Sequence, residues 1–466
     1  MLRQHRAAWR LAAGAAVTGL AVAAGAVALT GPWEGGQRAA ERKRATAADA
    51  DRDQSDTERI AGTVPAAEPV LAPLDGSGAE LSAAAVERAL ESLLDNRALG
   101  GQATGSVVDL TTGTSLYSHE AGAGRTPAST VKIVTAVAAL NALGPDHRLT
   151  TQAVWDADDE RVVLVGGGDT TLTDANLRAL ARRAAEALSE QGVATARVGY
   201  DISRYPDEQV HPIGAGNDNI ATITPLQLNA GRLDDSHHGP AARSADPAAD
   251  AARAFADHLA DAGIDVKGDP AERTAPDDAE RLASHRSAPL SSLVERMLTH
   301  SDNDLAEALA RATAIATGHQ ADVRGVQRAV TAQLDELGLP LDRVRIADAS
   351  GLDRDGRVTA ALLTQALTAA ADPERPALRP ALTGLPVAGF TGTLAGRYDE
   401  SAGAGAGVVR AKTGTLTGVN TLAGTAVTPD GRVLAFAFLA SDTTNAEEAQ
   451  TALDDAATAL ATCDCR

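Results

Sequence analysis

A core for this chain must be assembled almost without rings, because aromatic residues make up 2% of its 466 positions while hydrophobic residues make up 44%. Leu, Val, Ile and abundant Ala have to supply the buried area. That composition lets helices pack closely but gives little apolar area per residue. A charged fraction of 22% is ordinary for a folded soluble body, and the length allows more than one core. The net charge of -20 opposes a phosphate backbone, and so few rings offer no platform for stacking bases. Nucleic-acid binding is therefore excluded.

The first residues follow a logic of their own. Arg3, His5, Arg6 and Arg10 precede an uncharged stretch from Leu11 to Thr30, the charged-then-apolar order of an export segment. Residues 1–30 are expected to act as a signal peptide, cleaved after a site such as Ala26-Val27-Ala28, or as an uncleaved anchor that attaches the protein to a membrane through residues 11–30. Either way the body works outside the cytoplasm, at the cell wall or membrane. Residues 31–80 mix Ala, Gly, Pro and charged residues without apolar periodicity and are expected to form a disordered linker.

Ordered structure is expected from Leu81, where Ser82 can cap a helix carrying Val86, Leu90, Leu93 and Leu94. A hairpin follows over Ala103 to Tyr117. Pro127 and Ser129 lead into the apolar run Val131, Ile133, Val134, Val137 and Leu140, which predicts a buried helix with Ser129 at its start. From Trp155 to about Arg286 the pattern changes to that of an inserted α/β lobe: a strand at Arg161–Val165, a helix over Thr173–Gln191, a strand near Arg197–Asp201 and a helix from Pro247. Gly166-Gly167-Gly168 follows a strand but lacks the spacing of a phosphate loop and reads as a turn. Helical patterns resume over 290–298, 305–317 and 323–337. Apolar runs at 408–411, 420–427 and 433–439 predict an antiparallel sheet before a closing helix near 445–461. Catalytic residues are thus expected within 81–155 and 287–462, with 156–286 inserted.

Lysine is scarce where arginine is plentiful: only Lys43, Lys132, Lys267 and Lys412 occur. Arginine stays protonated in proteins, whereas a buried lysine can lose its proton and act as a base. Lys132 lies three residues after Ser129, so on a helix the amine and hydroxyl share a face, and the helix start favours negative charge developing nearby. Lys412 opens Lys412-Thr413-Gly414-Thr415 on a sheet edge, and Ser301-Asp302-Asn303 sits at a helix junction. The arrangement points to a serine acyl transfer in which Lys132, kept largely neutral by burial and by Lys412, activates Ser129. Ser301 would relay the proton to the leaving amine and Asn303 would hold the peptide. The N–H groups of Ser129 and Thr415 would bind the oxyanion, with Lys412, Thr413 and Thr415 on a terminal carboxylate.

Those three motifs, in that order, resemble the penicillin-binding enzymes and serine beta-lactamases. The long gap between Ser129 and Ser301 is similar to that of the class C low-molecular-mass D-alanyl-D-alanine carboxypeptidases and endopeptidases. So are Leu164-Val165-Gly166-Gly167-Gly168-Asp169, Asp348-Ala349-Ser350-Gly351-Leu352 and Gly389-Phe390-Thr391-Gly392-Thr393-Leu394. The resemblance runs from about Leu81 to Ala461. It implies an α/β (α+β) fold of the penicillin-binding and serine beta-lactamase-like transpeptidase type: an antiparallel sheet flanked by helices, an all-helical subdomain carrying Ser301, and the inserted lobe. It also implies an acyl-enzyme at Ser129, formed with peptidoglycan stem peptides or with beta-lactam antibiotics. The rival activities are a serine beta-lactamase and a catalytically silent wall-binding scaffold.

The chemistry calls for no metal or other cofactor. Asp353-Arg354-Asp355-Gly356 lacks the remaining spacing of a calcium loop, and His237-His238 has no ligand framework, so both read as solvated turns. Cys463 and Cys465, one residue apart, can close only a ring too small to staple a domain and are expected to form an accidental or weakly redox-active tail rather than a metal site.

Overall fold

The computed structural model describes residues 81–206, 210–398 and 400–465. The expected export segment and linker lie outside the described residues. Local sequence signals set the helix starts. Ser82 caps α1 (Ala83–Leu94) by accepting from the Ala85 N–H, and Thr173 with Asn176 closes a capping box on α3 (Asp174–Glu190). The buried helix expected after Ser129 is α2 (Val131–Leu143), enclosed on every side from Val131 to Leu140. In the inserted stretch α3 is followed by α4 (Pro247–Asp261). Beyond it come α5 (Leu290–His300), α6 (Asn303–Ala316), α7 (Val323–Glu336), α8 (Ala360–Ala371) and α9 (Ala446–Thr462).

Two sheets organise these helices. The first joins β1 (Thr104–Asp109), β2 (Ser115–His119), β9 (Val409–Leu416), β10 (Val419–Val427) and β11 (Val433–Ser441) in the order β2-β1-β11-β10-β9, antiparallel throughout. The second joins β3 (Thr150–Asp156), β4 (Arg161–Val165), β5 (Thr195–Asp201), β6 (Asp265–Val266), β7 (Ala271–Glu272) and β8 (Glu280–Arg286). There β4 and β5 run parallel, linked by α3, whereas β3 pairs antiparallel with β4 and β8. β3 straddles the position where the sequence pattern changes.

The shortage of rings is resolved by strand alternation. On β11, Phe436 and Phe438 face the side covered by α1 and α9, with ring centroids 5.2 Å apart. Ala435 and Ala437 face the other side, where α2 and α8 pack with α5, α6 and α7. Large residues fill the two-helix side, and methyl groups admit the helices closely on the side that carries the chemistry. α3 and α4 cover the second sheet with a separate core around Leu177, Leu180, Phe255 and Leu259. Among the described residues, no helix is long and apolar enough to cross a membrane.

The C-terminal cysteines close the small ring that their spacing allows. Cys463 and Cys465 are joined to each other, Cys465 is buried, and its carbonyl accepts from the Ser82 N–H at 2.7 Å. That backbone hydrogen bond, not the disulfide, ties the tail to the start of α1.

Candidate active site

Ser129 sits in a single 3-10 turn, Ala128–Thr130, that runs directly into α2. The turn is clamped from three sides. Thr421 on β10 donates to the Pro127 carbonyl at 2.8 Å, as does Thr130 at 2.7 Å. Gly351 has φ +82°, and a Cβ there would lie 1.9 Å from the Ala128 carbonyl oxygen. Gly414 is pressed as closely, since its Cβ would meet the Thr421 hydroxyl at 2.1 Å and the Pro127 carbonyl at 2.8 Å. The glycine of the third motif is thus the point where β9 and the Ser129 turn touch. Two residues beside the hydroxyl cluster, Ala128 and Ser301, hold left-handed backbone at φ 47° and 57°, the kind of local strain that functional sites retain.

One helical turn on, the Lys132 amine is fully buried and has three acceptors: Ser129 Oγ at 3.0 Å, Asn303 Oδ1 at 2.7 Å and the Ser350 carbonyl at 2.6 Å. An ammonium donates to all three. A neutral amine has two N–H groups, which the two shorter contacts occupy, so its lone pair is left pointing at the Ser129 hydroxyl. Ser350 was not among the residues picked out for the site. It entered the sequence reading only as part of a stretch resembling the family, because a backbone carbonyl leaves no trace in residue type.

The second motif spans the α5–α6 junction. Ser301 closes α5 in left-handed conformation, Asp302 caps α6 by accepting from the Leu305 N–H at 3.0 Å, and Asn303 begins it. Asn303 also donates through Nδ2 to the Asn219 carbonyl at 3.0 Å, which fixes the amide with its oxygen toward Lys132. Among the described residues the Ser301 hydroxyl makes no hydrogen bond, so of the second motif only Asn303 contacts Lys132.

The third motif lies on β9, the edge strand. Val409 and Ala411 bond through their backbones to Ala388 and Pro386, and beyond them no described residue pairs with the strand's outer edge. The same alternation turns the backbone groups of Thr413 and Thr415 to that open edge. Lys412 is fully buried, and its amine donates to the Thr413 carbonyl at 2.8 Å. The Thr413 hydroxyl bonds Thr393 at 2.8 Å, and the Thr415 hydroxyl accepts from Gln450 of α9 at 3.4 Å.

Burial lowers the affinity of both amines for a proton, but their surroundings differ. Lys132 is lowered to about 8, with burial opposed by Asp348, Asp302, Glu307 and Asp304. Lys412 is pushed well below the ordinary lysine value by burial and then by the charge of Lys132. With its pKa near 8, Lys132 is expected to be largely protonated at neutral pH, against the expectation that it rests neutral, and Lys412 is the amine that burial disfavours more strongly. Four carboxylates face one lysine, and the other has none to oppose its burial.

Among the described residues, one group of side chains is spaced to hold a metal ion: His211, Glu307 and Asp348, all buried. Its oxygens are already engaged. Glu307 accepts from Arg311 at 2.7 Å and from the N–H groups of Ala349 and Ser350, while Asp348 Oδ2 accepts from Ser350 Oγ, Leu352 N and Asp353 N. The cluster thus braces the loop that presents the Ser350 carbonyl.

A Gly414→Ala substitution is expected to separate β9 from the Ser129 turn. The acylation rate should fall on the order of 100-fold, since a displacement near 1 Å has that effect on aligned groups. Stopped-flow acylation by a chromogenic beta-lactam checks this.

The family model described as the D-Ala-D-Ala carboxypeptidase 3 (S13) family matches residues 86–237 and 231–462. A carboxypeptidase DacB from Mycolicibacterium smegmatis is 36% identical over 414 residues, covering 86% of this chain and 88% of that protein. A D-alanyl-D-alanine carboxypeptidase from an Actinomadura species is 31% identical over 468 residues, covering 81% of this chain and 84% of the relative. In fold, the chain is similar to penicillin binding protein 4 of Haemophilus influenzae, with a TM-score of 0.62 at 21% identity, covering 80% of this chain and 97% of that one.

Proposed function

We propose how the reaction runs in a chain that belongs to the D-Ala-D-Ala carboxypeptidase 3 (S13) family and is a serine-type peptidase. Ser129 Oγ attacks the carbonyl carbon of the bond between two terminal D-alanines. Lys132 takes the hydroxyl proton. The tetrahedral oxyanion is held by the N–H groups of Ser129 and Thr415, one at a helix start and one on the open strand edge. The proton passes from Lys132 by way of the Ser301 hydroxyl to the leaving nitrogen, the C–N bond breaks, D-alanine departs, and water then hydrolyses the ester at Ser129. The observation that carries this reading is the Lys132 amine, 3.0 Å from Ser129 Oγ with its two other acceptors at shorter range.

The two lysines give the substrate a part in its own activation. A terminal carboxylate reaching Lys412, Thr413 and Thr415 brings the counter-charge that Lys412 lacks and raises its affinity for a proton. Like-charge repulsion then shifts Lys132 toward its neutral, basic form. Beta-lactam antibiotics carry both a carboxylate and a strained amide, and they acylate the same serine. The natural substrates in this reading are peptidoglycan stem peptides, which places the body outside the cytoplasm, with residues 1–30 serving export or membrane attachment. Residues 81–155 with 287–462 form the catalytic part, and 156–286 the insertion.

Release of D-alanine from a peptide ending in D-Ala-D-Ala tests the reading. With Lys132 protonated below about 8, the rate is expected to rise with pH through that region as the amine is freed. Turnover of nitrocefin should be much slower than D-alanine release. Efficient nitrocefin turnover without D-alanine release would replace this reading with that of a beta-lactamase.

A further inference from the structure

Among the buried titratable side chains that the catalytic scheme does not use, His211 is tied to the site. His211 is 3% exposed, belongs to the inserted stretch, and directs Nε2 at Asp348 Oδ2 from 3.1 Å. Asp348 Oδ2 also accepts the Ser350 hydroxyl at 2.6 Å, and the Ser350 carbonyl receives the Lys132 amine at 2.6 Å. The path from ring to base therefore passes through a single carboxylate and a single residue. Eight positions along, Asn219 supplies the carbonyl that orients the Asn303 amide, the other short acceptor of Lys132. One segment of the insertion thus fixes both groups that aim the lone pair at Ser129.

We infer that His211 is a positioning residue for catalysis, holding the Asp348–Ser350 loop so that the Ser350 carbonyl orients Lys132 toward Ser129. This rests on the reading of Ser129 and Lys132 given above. The ring is placed for the task by the Ile213 N–H, 3.3 Å from Nδ1, a contact that puts the proton on Nε2, where Asp348 accepts it. The charges facing the ring are Asp348, Glu307 with its partner Arg311, and Asp353. Burial disfavours the imidazolium, but the Asp348 hydrogen bond and these carboxylates outweigh it and raise the His211 pKa. In either charge state Nε2 carries a proton for Asp348, so the tie persists across neutral pH.

The test compares side chains by reach. Glutamine can place an amide nitrogen near the position of Nε2. Asparagine keeps an acceptor for the Ile213 N–H but stops short of Asp348, and leucine fills the volume with no donor. Acylation of each variant by benzylpenicillin is followed to completion, which separates the rate constant of the competent molecules from their number. His211→Asn and His211→Leu are expected to slow acylation at saturation by about 10- to 100-fold, with the half-saturating concentration changed less than about threefold. His211→Gln should recover to within about threefold of the native rate. Either deletion suffices if the other does not fold. A native rate constant in a folded deletion variant, with only fewer competent molecules, would overturn the inference by showing a purely structural residue. So would equal slowing in the glutamine variant. Intact mass keeps the two claims apart: an adduct still on Ser129 in a variant acylating at the native rate refutes the role of His211 and leaves the reaction scheme standing.

Discussion

Lys132→Arg is expected to be acylated by benzylpenicillin on the order of 1000-fold more slowly than the native chain, with no recovery up to pH 10. Arginine keeps the positive charge but cannot give up its proton in this range, so it cannot accept one from Ser129. General-base removal typically accounts for factors of about 100 to 10,000, and among the described residues the other group within hydrogen-bond range of the hydroxyl is the Ser350 carbonyl at 3.4 Å, which is no base. Lys132→Ala should be as slow and also less stable. It strands Asn303 Oδ1 and leaves the Ser350 carbonyl only the longer Ser129 contact at 3.4 Å, at about 1–3 kcal/mol for an unmade hydrogen bond. Stopped-flow acylation over pH 6–10, with urea unfolding of each variant, separates the two effects. A native rate for the arginine variant would remove Lys132 from the role of base.

Arg311→Met is expected to give the largest loss of stability, about 3–5 kcal/mol, because it deletes one member of a buried ion pair and leaves the other charged. Arg311 is 1% exposed and binds Glu307 Oε2 at 2.7 Å, with the Tyr205 ring 5.9 Å beneath its guanidinium. The same Glu307 holds the N–H groups of Ala349 and Ser350 through Oε1. The substitution should therefore slow acylation as well as lower the urea midpoint. Glu307→Gln keeps an oxygen for those N–H groups and should lose less activity for comparable destabilisation. A methionine variant with native unfolding behaviour would show that the pair contributes nothing net.

Much of this site was legible because its chemistry depends on residue type at short spacing. Ser129 and Lys132 share one helical face by periodicity alone, and Ser301-Asp302-Asn303 lies at a helix junction as read from the flanking patterns. The three hydrophobic runs after residue 408 became β9, β10 and β11, with the Lys412 motif on the edge strand. What stayed hidden depends on partners distant in sequence. The Ser350 carbonyl reaches Lys132 from 218 positions away, and His211 reaches Asp348 from 137. A lone histidine in a loop carries no periodic signal to mark such a contact. The unequal effect of burial on Lys132 and Lys412 stayed hidden for a related reason. Both amines are fully buried, and only the fold shows that carboxylates gather around the first and none around the second.

The central claim is that an amine held against one hydroxyl makes Ser129 the nucleophile, and intact mass after benzylpenicillin treatment tests it most directly. The native chain is expected to gain a single penicilloyl group, located on Ser129 by peptide mapping, while Ser129→Ala gains none. An adduct of equal yield on the alanine variant, or a native chain that stays unmodified while folded, would contradict the account.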